Sequence, residues 1–278
     1  MKTKIKNALI SVSDKENLTS LLKVLKKFNI KIISSGGTYT SIKKLGYKCT
    51  ELSKYTGFKE MLDGRVKTLH PKIHAGILHD RQNKKHQHEM IRQNFPAIDL
   101  IVVNFYPFQK VVTSRASSKN IIENIDIGGP TMVRAAAKNF NNVTIITNKN
   151  DYSHLILEIE KNKGATTLKF RELMSSKAFG LTAYYDAMIA NWFNEKLKIE
   201  FPERKTIFGK KLQQLRYGEN PHQKSSIYVS DYHDKNLGFT QLNGKELSYN
   251  NYNDMFASLE ILNSIKKKYG TVIIKHAN

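Results

Sequence analysis

Short apolar runs alternate with amphipathic segments through the first half of the chain, and this alternation predicts most of its elements. Five runs rich in β-branched residues are predicted to form buried strands. They lie at residues 8–12, 30–34, 48–52, 98–103 and 143–147. The run at 98–103 is almost wholly apolar, so we expect it to be the central strand.

Amphipathic segments follow these runs. Residues 17–28 carry leucine and valine at helical spacing, and the turn Ser35-Gly36-Gly37-Thr38 is suited to open a second helix. Pro71 is suited to the first turn of a third, where its missing N–H leaves no gap in the hydrogen bonding. The order strand, helix, strand, glycine turn, helix predicts a parallel sheet with helices on its faces.

Longer helical patterns follow at 152–162 and 168–196. In the second of these, four large apolar residues are spaced four, three and four apart, which predicts a stripe that is buried in the core or at a subunit contact. These residues are Leu181, Tyr185, Met188 and Trp192. Beyond them, 200–211 reads as a linker, 253–267 as a helix and 271–274 as a strand.

Polar residues come directly after the first two predicted strands, at 11–15 and at 34–38. The carboxyl ends of strands are where open parallel sheets bind ligands, and backbone N–H groups at a helix start can hold a phosphate dianion. Neither stretch matches the P-loop or the dinucleotide fingerprint, so no nucleoside triphosphate or NAD site is indicated. A Gly-Gly pair taken alone is more typical of an ordinary turn than of a phosphate site.

A cationic loop lies at 62–72. Arg65, Lys67 and Lys72 fall within eight residues, with Thr68 and His70 as further donors. Such a cluster suits a phosphate or another oxyanion, and the alternative is a solvated basic loop. His70 and the histidine four residues later share a helical face, but no glutamate lies between them and no third ligand is evident, so we expect no metal site.

Composition changes this picture little. The chain has 278 residues, of which 40% are hydrophobic and 25% charged, as in an ordinary globular protein. Its net charge of +21 raises the question of nucleic acid, but the lysines are scattered and no nucleic-acid-binding motif is recognisable. Cys49 is the only cysteine, which excludes an internal disulfide and a cysteine zinc site. With no signal peptide or membrane span evident, the expected location is the cytoplasm.

Several motifs carry a resemblance, and they occur in one consistent order. Residues 64–71, Gly-Arg-Val-Lys-Thr-Leu-His-Pro, resemble the signature of the IMP cyclohydrolase domain in the bifunctional purine-synthesis family, whose other half is AICAR transformylase. Residues 104–108 resemble the family's Asn-Leu-Tyr-Pro-Phe, and 123–139 match a second strong signature. Residues 215–223 and 242–251 resemble the first two transformylase motifs, although Phe256 stands where relatives usually carry an acidic residue.

The resemblance implies a fold of class α/β. Residues 1–199 would form a methylglyoxal-synthase-like parallel-sheet domain flanked by helices, and 200–211 a linker. Residues 212–278 would be an incomplete α/β, cytidine-deaminase-like fragment of the transformylase domain. The complete part would close 5-formamidoimidazole-4-carboxamide ribonucleotide (FAICAR) to IMP with loss of water, without metal or cofactor.

The same resemblance implies the site residues. Lys67 would stabilise the oxyanion on the formyl carbon, Asp126 would orient or deprotonate the carboxamide nitrogen, and Tyr106 would donate a proton as water leaves. Lys138 would act across a dimer interface, so a homodimer is expected. Contacts to the nucleotide are expected from Ser11, Ser13, Lys15, Ser35, Gly36, Gly37, Thr38, Arg65, Thr68, Asn104, Gly128 and Gly129.

The family's second half transfers a formyl group from 10-formyltetrahydrofolate to AICAR. Arg216, Tyr217, Lys275 and His276 match its motifs, but the family places most folate and nucleotide contacts beyond residue 278, so we expect no formyl transfer by this chain. Two rival interpretations are a methylglyoxal-synthase-like enzyme or regulatory phosphate-binding module, and a basic nucleic-acid-binding protein. The first would explain the phosphate loops but not the motifs after Leu215.

Overall fold

A parallel sheet of five strands organises the first part of the chain. The computed structural model describes residues 1–230, 232 and 239–277. Along the chain, the strands of this sheet and of two smaller antiparallel pairs are β1 (Lys2–Lys4), β2 (Asn7–Ser11), β3 (Lys31–Ser34), β4 (Thr50–Glu51), β5 (Leu100–Val103), β6 (Thr144–Ile146), β7 (Ala165–Thr167), β8 (Lys210–Gln214) and β9 (Ser226–Val229). The order in the parallel sheet is β4-β3-β2-β5-β6, which confirms the predicted architecture.

Helices lie between and after these strands along the chain. They are α1 (Leu18–Lys27), α2 (Gly36–Lys44), α3 (Leu52–Thr56), α4 (Pro71–Leu78), α5 (Lys84–Arg92), α6 (Phe108–Thr113), α7 (Ser118–Glu123), α8 (Gly128–Lys138), α9 (Tyr152–Lys161), α10 (Leu168–Leu197) and α11 (Tyr249–Ser264). Short 3-10 turns lie at Leu62–Gly64 and Lys149–Asp151.

The chain divides into two compact units, Met1–Lys198 and Ile199–Asn278. In the first unit β2 pairs in parallel with both β3 and β5, so Leu9 lies beside Ile33 on one side and Ile101 on the other. These strands are buried on both faces, which explains why their sequences are continuous apolar runs and do not alternate. Their shared carboxyl edge brings the loops after β2, β3 and β5 together.

Helix α10 is the 30-residue helix on which the buried stripe was predicted. Tyr185, Met188 and Trp192 are buried as expected, whereas Leu181 is half-buried. At the other end of the helix, the fully buried Arg171 donates to the carbonyl oxygens of Phe140 at 2.6 Å, Asn141 at 3.0 Å and Thr166 at 2.6 Å. These bonds fix α10 against the end of α8 and against β7.

The second unit holds the antiparallel pair β8 and β9 and the helix α11. β8 begins at Lys210, inside the segment read from sequence as linker. Helix α11 begins at Tyr249, four residues before its predicted start, because Ser248 and Asn251 form a capping box there. The predicted strand at 271–274 is wrong: these residues pair with no strand in the described part of the chain, and Ile273 is 91% exposed.

None of the helices among the described residues combines the length and the hydropathy that a membrane crossing requires.

Candidate functional site

A cavity of about 690 Å³ opens at the carboxyl edge of the parallel sheet. The loops after β2, β3 and β5, the cationic loop and the start of α8 all contribute to its wall. With the exception of Lys138, every catalytic and nucleotide-contact residue predicted in the first unit lines it. These are Ser11, Ser13, Lys15, Ser35, Gly36, Gly37, Thr38, Arg65, Lys67, Thr68, Asn104, Tyr106, Asp126, Gly128 and Gly129.

Two lysine side chains bring positive charge to the start of α2, which forms part of this wall. The side chain of Ser35, the residue before the helix, makes no capping hydrogen bond. Gly36 has φ +50°, and a Cβ there would lie 2.9 Å from the Nζ of Lys67. A Cβ on Gly37 would lie 3.9 Å from the Nζ of Lys15. Two ammonium groups therefore flank a helix N-terminus whose amides are suited to an anion, and the positive φ of Gly36 is one that glycine adopts without strain.

Two of the predicted contact residues shape the wall through their own hydrogen bonds. Asn104 Oδ1 accepts from the Ser13 backbone N–H at 2.6 Å, and its Nδ2 donates to the Asp14 carbonyl oxygen at 3.1 Å. The buried Thr38 hydroxyl donates to the Val12 carbonyl oxygen at 2.9 Å and accepts from the Val12 N–H at 3.1 Å. Asn104 thus joins the loops after β2 and β5, and Thr38 fixes α2 against the end of β2.

The start of α8 is a second helix N-terminus in the same wall. The backbone N–H of Gly129 donates to Asp126 Oδ1 at 2.8 Å. Burial raises the pKa of the Asp126 carboxyl above its ordinary value, and the backbone groups of Gly129 and Tyr106 oppose the shift. A Cβ on Gly128 would clash with the Thr68 hydroxyl, so α8 packs closely on the cationic loop.

Two carboxylates that the sequence interpretation did not assign hold the cationic loop. Glu60 forms an ion pair of 2.6 Å with Lys67, and Glu123 pairs with Arg65. Between Glu60 and Arg65 the chain makes a turn in which Leu62 and Asp63 both have φ +54°. In the sequence, the Glu60–Lys67 pair was indicated only by the short distance along the chain between Glu60 and the cationic loop. Glu60 therefore pairs with the ammonium group that an anion would use.

Replacing Glu60 with glutamine is expected to tighten the binding of inorganic phosphate about twofold to fivefold at low ionic strength, since an exposed ion pair of this kind is worth up to about 1 kcal/mol. The change removes both a competitor for Lys67 and a negative charge near the anion. Titration calorimetry with phosphate measures the effect. Glu160→Gln is the matched control, because Glu160 pairs with Lys27 away from the cavity. Equal affinities for wild type and Glu60→Gln would contradict the assignment of Lys67 to the anion site.

The remaining predicted residues lie elsewhere. Lys138 is the exposed last residue of α8 and does not line the cavity of its own chain. His70 is the N-cap residue of α4, because its Nδ1 accepts a hydrogen bond from the Lys72 backbone N–H at 3.1 Å. Burial lowers the pKa of His74, which favours the neutral ring. No cluster of three or more candidate metal ligands occurs among the described residues.

In the second unit Arg216 donates to the Tyr217 hydroxyl at 3.1 Å, and its guanidinium lies 4.8 Å from the ring centre. The bond from Arg216 lowers the pKa of the Tyr217 hydroxyl. Lys275 and His276 lie at the end of the described chain. A cavity of about 560 Å³ in this unit is lined by Gln213, Tyr252 and neighbouring residues, and none of the four residues matched to transformylase motifs lines it.

Comparison with known proteins gives one consistent result. A family model described as "MGS-like domain" matches residues 17–131, and one described as "AICARFT/IMPCHase bienzyme" matches residues 136–278, a little over half of the chain. A solved structure described as "Crystal structure of ForH" is similar with a TM-score of 0.59 and 30% identity, covering 68% of this chain and 99% of that one.

Two curated relatives carry the description "Bifunctional purine biosynthesis protein PurH". The protein from Bradyrhizobium diazoefficiens is 48% identical over 99% of this chain and 52% of the relative. The one from Oceanobacillus iheyensis is 46% identical over 98% of this chain and 54% of the relative. The chain thus spans about half the length of the relatives it matches. Its family models, its motifs and its methylglyoxal-synthase-like sheet agree, and the chain belongs to the AICARFT/IMPCHase bienzyme family.

Proposed function

We propose that the first unit acts in purine biosynthesis as an IMP cyclohydrolase, which closes FAICAR to IMP with loss of water. The observation that carries the proposal is the cavity at the sheet edge, where Lys67, Tyr106 and Asp126 lie with two helix N-termini. Each group supplies something the ring closure needs: positive charge, a proton donor and a proton acceptor.

The nucleotide would bind with its phosphate at the start of α2. The first-turn amides and the ammonium of Lys15 favour a dianion there, and the hydroxyls of Ser11 and Ser35 supply further donors. The imidazole ring with its two substituents would then extend toward the start of α8. Both reacting groups belong to one molecule, so holding the carboxamide nitrogen close to the formyl carbon removes much of the entropic barrier.

In the first step the carboxamide nitrogen attacks the formyl carbon, forming a C–N bond and placing negative charge on the formyl oxygen. Lys67 would stabilise that oxygen together with the backbone N–H of Gly128. Asp126 would take the proton released by the nitrogen, a role favoured by a carboxylate that burial has made more basic. In the second step the oxygen takes the proton held by Asp126 and a second proton from Tyr106 and leaves as water. The formamido nitrogen gives up its own proton, which would restore the Tyr106 hydroxyl, and a C=N bond forms as the C–O bond breaks.

A homodimer in which the partner contributes its Lys138 is part of the proposal. The exposed position of Lys138 at the end of α8 is consistent with a contact to a second copy. Sedimentation of the purified chain tests the dimer. The lysine's contribution is tested by mixing Lys138→Ala with Lys67→Ala chains, since hybrid dimers would regain one intact site.

The activity test incubates the purified chain with FAICAR and follows IMP by chromatography. Enzyme-dependent IMP formation is expected without added folate. The same preparation, given AICAR and 10-formyltetrahydrofolate, tests the expectation that these 278 residues do not transfer the formyl group. If the circular dichroism spectrum shows that the chain is folded and no IMP forms from FAICAR, the proposed function is contradicted. Formyl transfer would contradict only the second expectation.

A further inference from the structure

Tyr185 on helix α10 reaches the loop that carries Asp126. Its side chain is only 3% exposed and does not line the cavity. The hydroxyl oxygen accepts from the backbone N–H of Asp126 at 2.9 Å, and the hydroxyl donates to the carbonyl oxygen of Asn124 at 3.3 Å. One phenol group therefore binds the backbone on both sides of Ile125, immediately before α8.

The ring of Tyr185 contacts a second loop of the site. Its centre lies 4.9 Å from the ring of Phe105 and 6.0 Å from that of Phe108, the aromatic residues on either side of Tyr106 and Pro107. The backbone amide of Tyr106 also acts on the Asp126 carboxylate and opposes the rise in its pKa. Tyr185 thus contacts the backbone of one loop and the side chains of the other.

The chemistry of the phenol restricts what it does. Burial raises the pKa of Tyr185 to about 12, so the hydroxyl keeps its proton at neutral pH. It lies behind the cavity wall and is not exposed to a bound molecule. Its effect on a reaction must therefore pass through the groups that it holds.

We propose that Tyr185 is a positioning residue, which fixes Asp126 relative to Tyr106 so that the proton acceptor and the proton donor face the same bound molecule. This inference rests on the cyclohydrolase function proposed above. A carboxylate displaced by even about 1 Å from its productive position loses much of its catalytic effect. The main-chain hydrogen bonds of Tyr185 oppose that displacement.

The test is Tyr185→Phe, which removes the hydroxyl and keeps the ring contacts. We expect kcat for FAICAR cyclisation to fall about tenfold to a hundredfold while KM stays within about twofold, because the phosphate contacts at α2 are untouched. Amide hydrogen exchange of Asp126, followed by NMR, is expected to become at least about tenfold faster once its acceptor is gone. Tyr152→Phe is the control, since Tyr152 is another buried tyrosine of this unit and lies outside the cavity wall.

A kcat unchanged from wild type would overturn the positioning role, even if the Asp126 amide exchanges faster. Equal losses of kcat in Tyr185→Phe and Tyr152→Phe would also overturn it, since they would indicate a general packing effect. If wild type itself forms no IMP, the cyclohydrolase proposal fails. The exchange rate of the Asp126 amide then decides separately whether Tyr185 holds this loop.

Discussion

Replacing Lys67 with alanine is expected to lower kcat for FAICAR cyclisation by about 10²- to 10³-fold, the usual cost of losing one group that stabilises a developing oxyanion. The charge appears on the formyl oxygen only as the C–N bond forms, so the loss should fall mainly on kcat. Lys67 also lies beside Gly36 at the start of α2, where the phosphate is proposed to bind. The division of the effect between kcat and KM therefore distinguishes two roles for the same ammonium group.

Lys72→Ala is the matched control for this experiment. Lys72 belongs to the same cationic loop segment, but its ammonium lies 5.1 Å from the ring centre of Tyr55 and does not line the cavity. We expect this variant to keep kcat within about threefold of wild type, as for a residue that makes no contact with the transition state. A rise in KM alone for Lys67→Ala would assign the residue to phosphate binding. Equal losses in both variants would contradict any specific role.

Replacing Asp126 with asparagine is expected to lower kcat by about 10²- to 10⁴-fold, as is typical when a general base is removed. The amide keeps an oxygen that accepts from Gly129, so the loop geometry should persist. In wild type the rate should fall with decreasing pH through the pKa of Asp126, which burial raises above its ordinary value of 3.8. Retention of near-normal kcat by Asp126→Asn would remove the carboxylate from the mechanism.

The same substitution is expected to stabilise the fold at pH 7. Burial disfavours the ionised carboxylate, so the folded state loses stability as pH rises through the raised pKa of Asp126. Asparagine avoids that loss, and its advantage in the free energy of unfolding should vanish below the ordinary pKa of 3.8. Asp99→Asn is expected to lower the free energy of unfolding at pH 7. The buried Asp99 forms an ion pair with Arg81 at 2.8 Å, and removing its charge leaves the Arg81 cation without that partner. Urea unfolding of both variants at several pH values measures these differences.

The sequence predicted the parts of this fold that depend on local pattern. Apolar runs gave the five parallel strands, and Pro71 marked the start of α4. The convergence of polar loops was also predictable, because parallel strands present their carboxyl ends at one edge. The strand at 271–274 failed because a β-branched run has strand preference but needs a partner, and none is found for it among the described residues.

The contacts that tune the site depend on packing and turn geometry, which the sequence pattern does not specify. Tyr185 was correctly placed in a buried stripe, but that its hydroxyl reaches Asp126, 59 residues earlier, follows only from how α10 packs. The ion pair between Glu60 and Lys67 depends on the turn between them. Burial of the Asp126 carboxyl likewise depends on how its loop packs before α8. Motif matching identified which residues meet, whereas their protonation and pairing required the structure.

A crystal structure of the chain with IMP tests the proposed site most directly. We expect the phosphate at the Gly36 and Gly37 amides beside Lys15. The purine ring should lie against Lys67, Asp126 and Tyr106 in the cavity at the sheet edge. IMP bound anywhere else, or bound there with its phosphate away from α2, would contradict the proposed site.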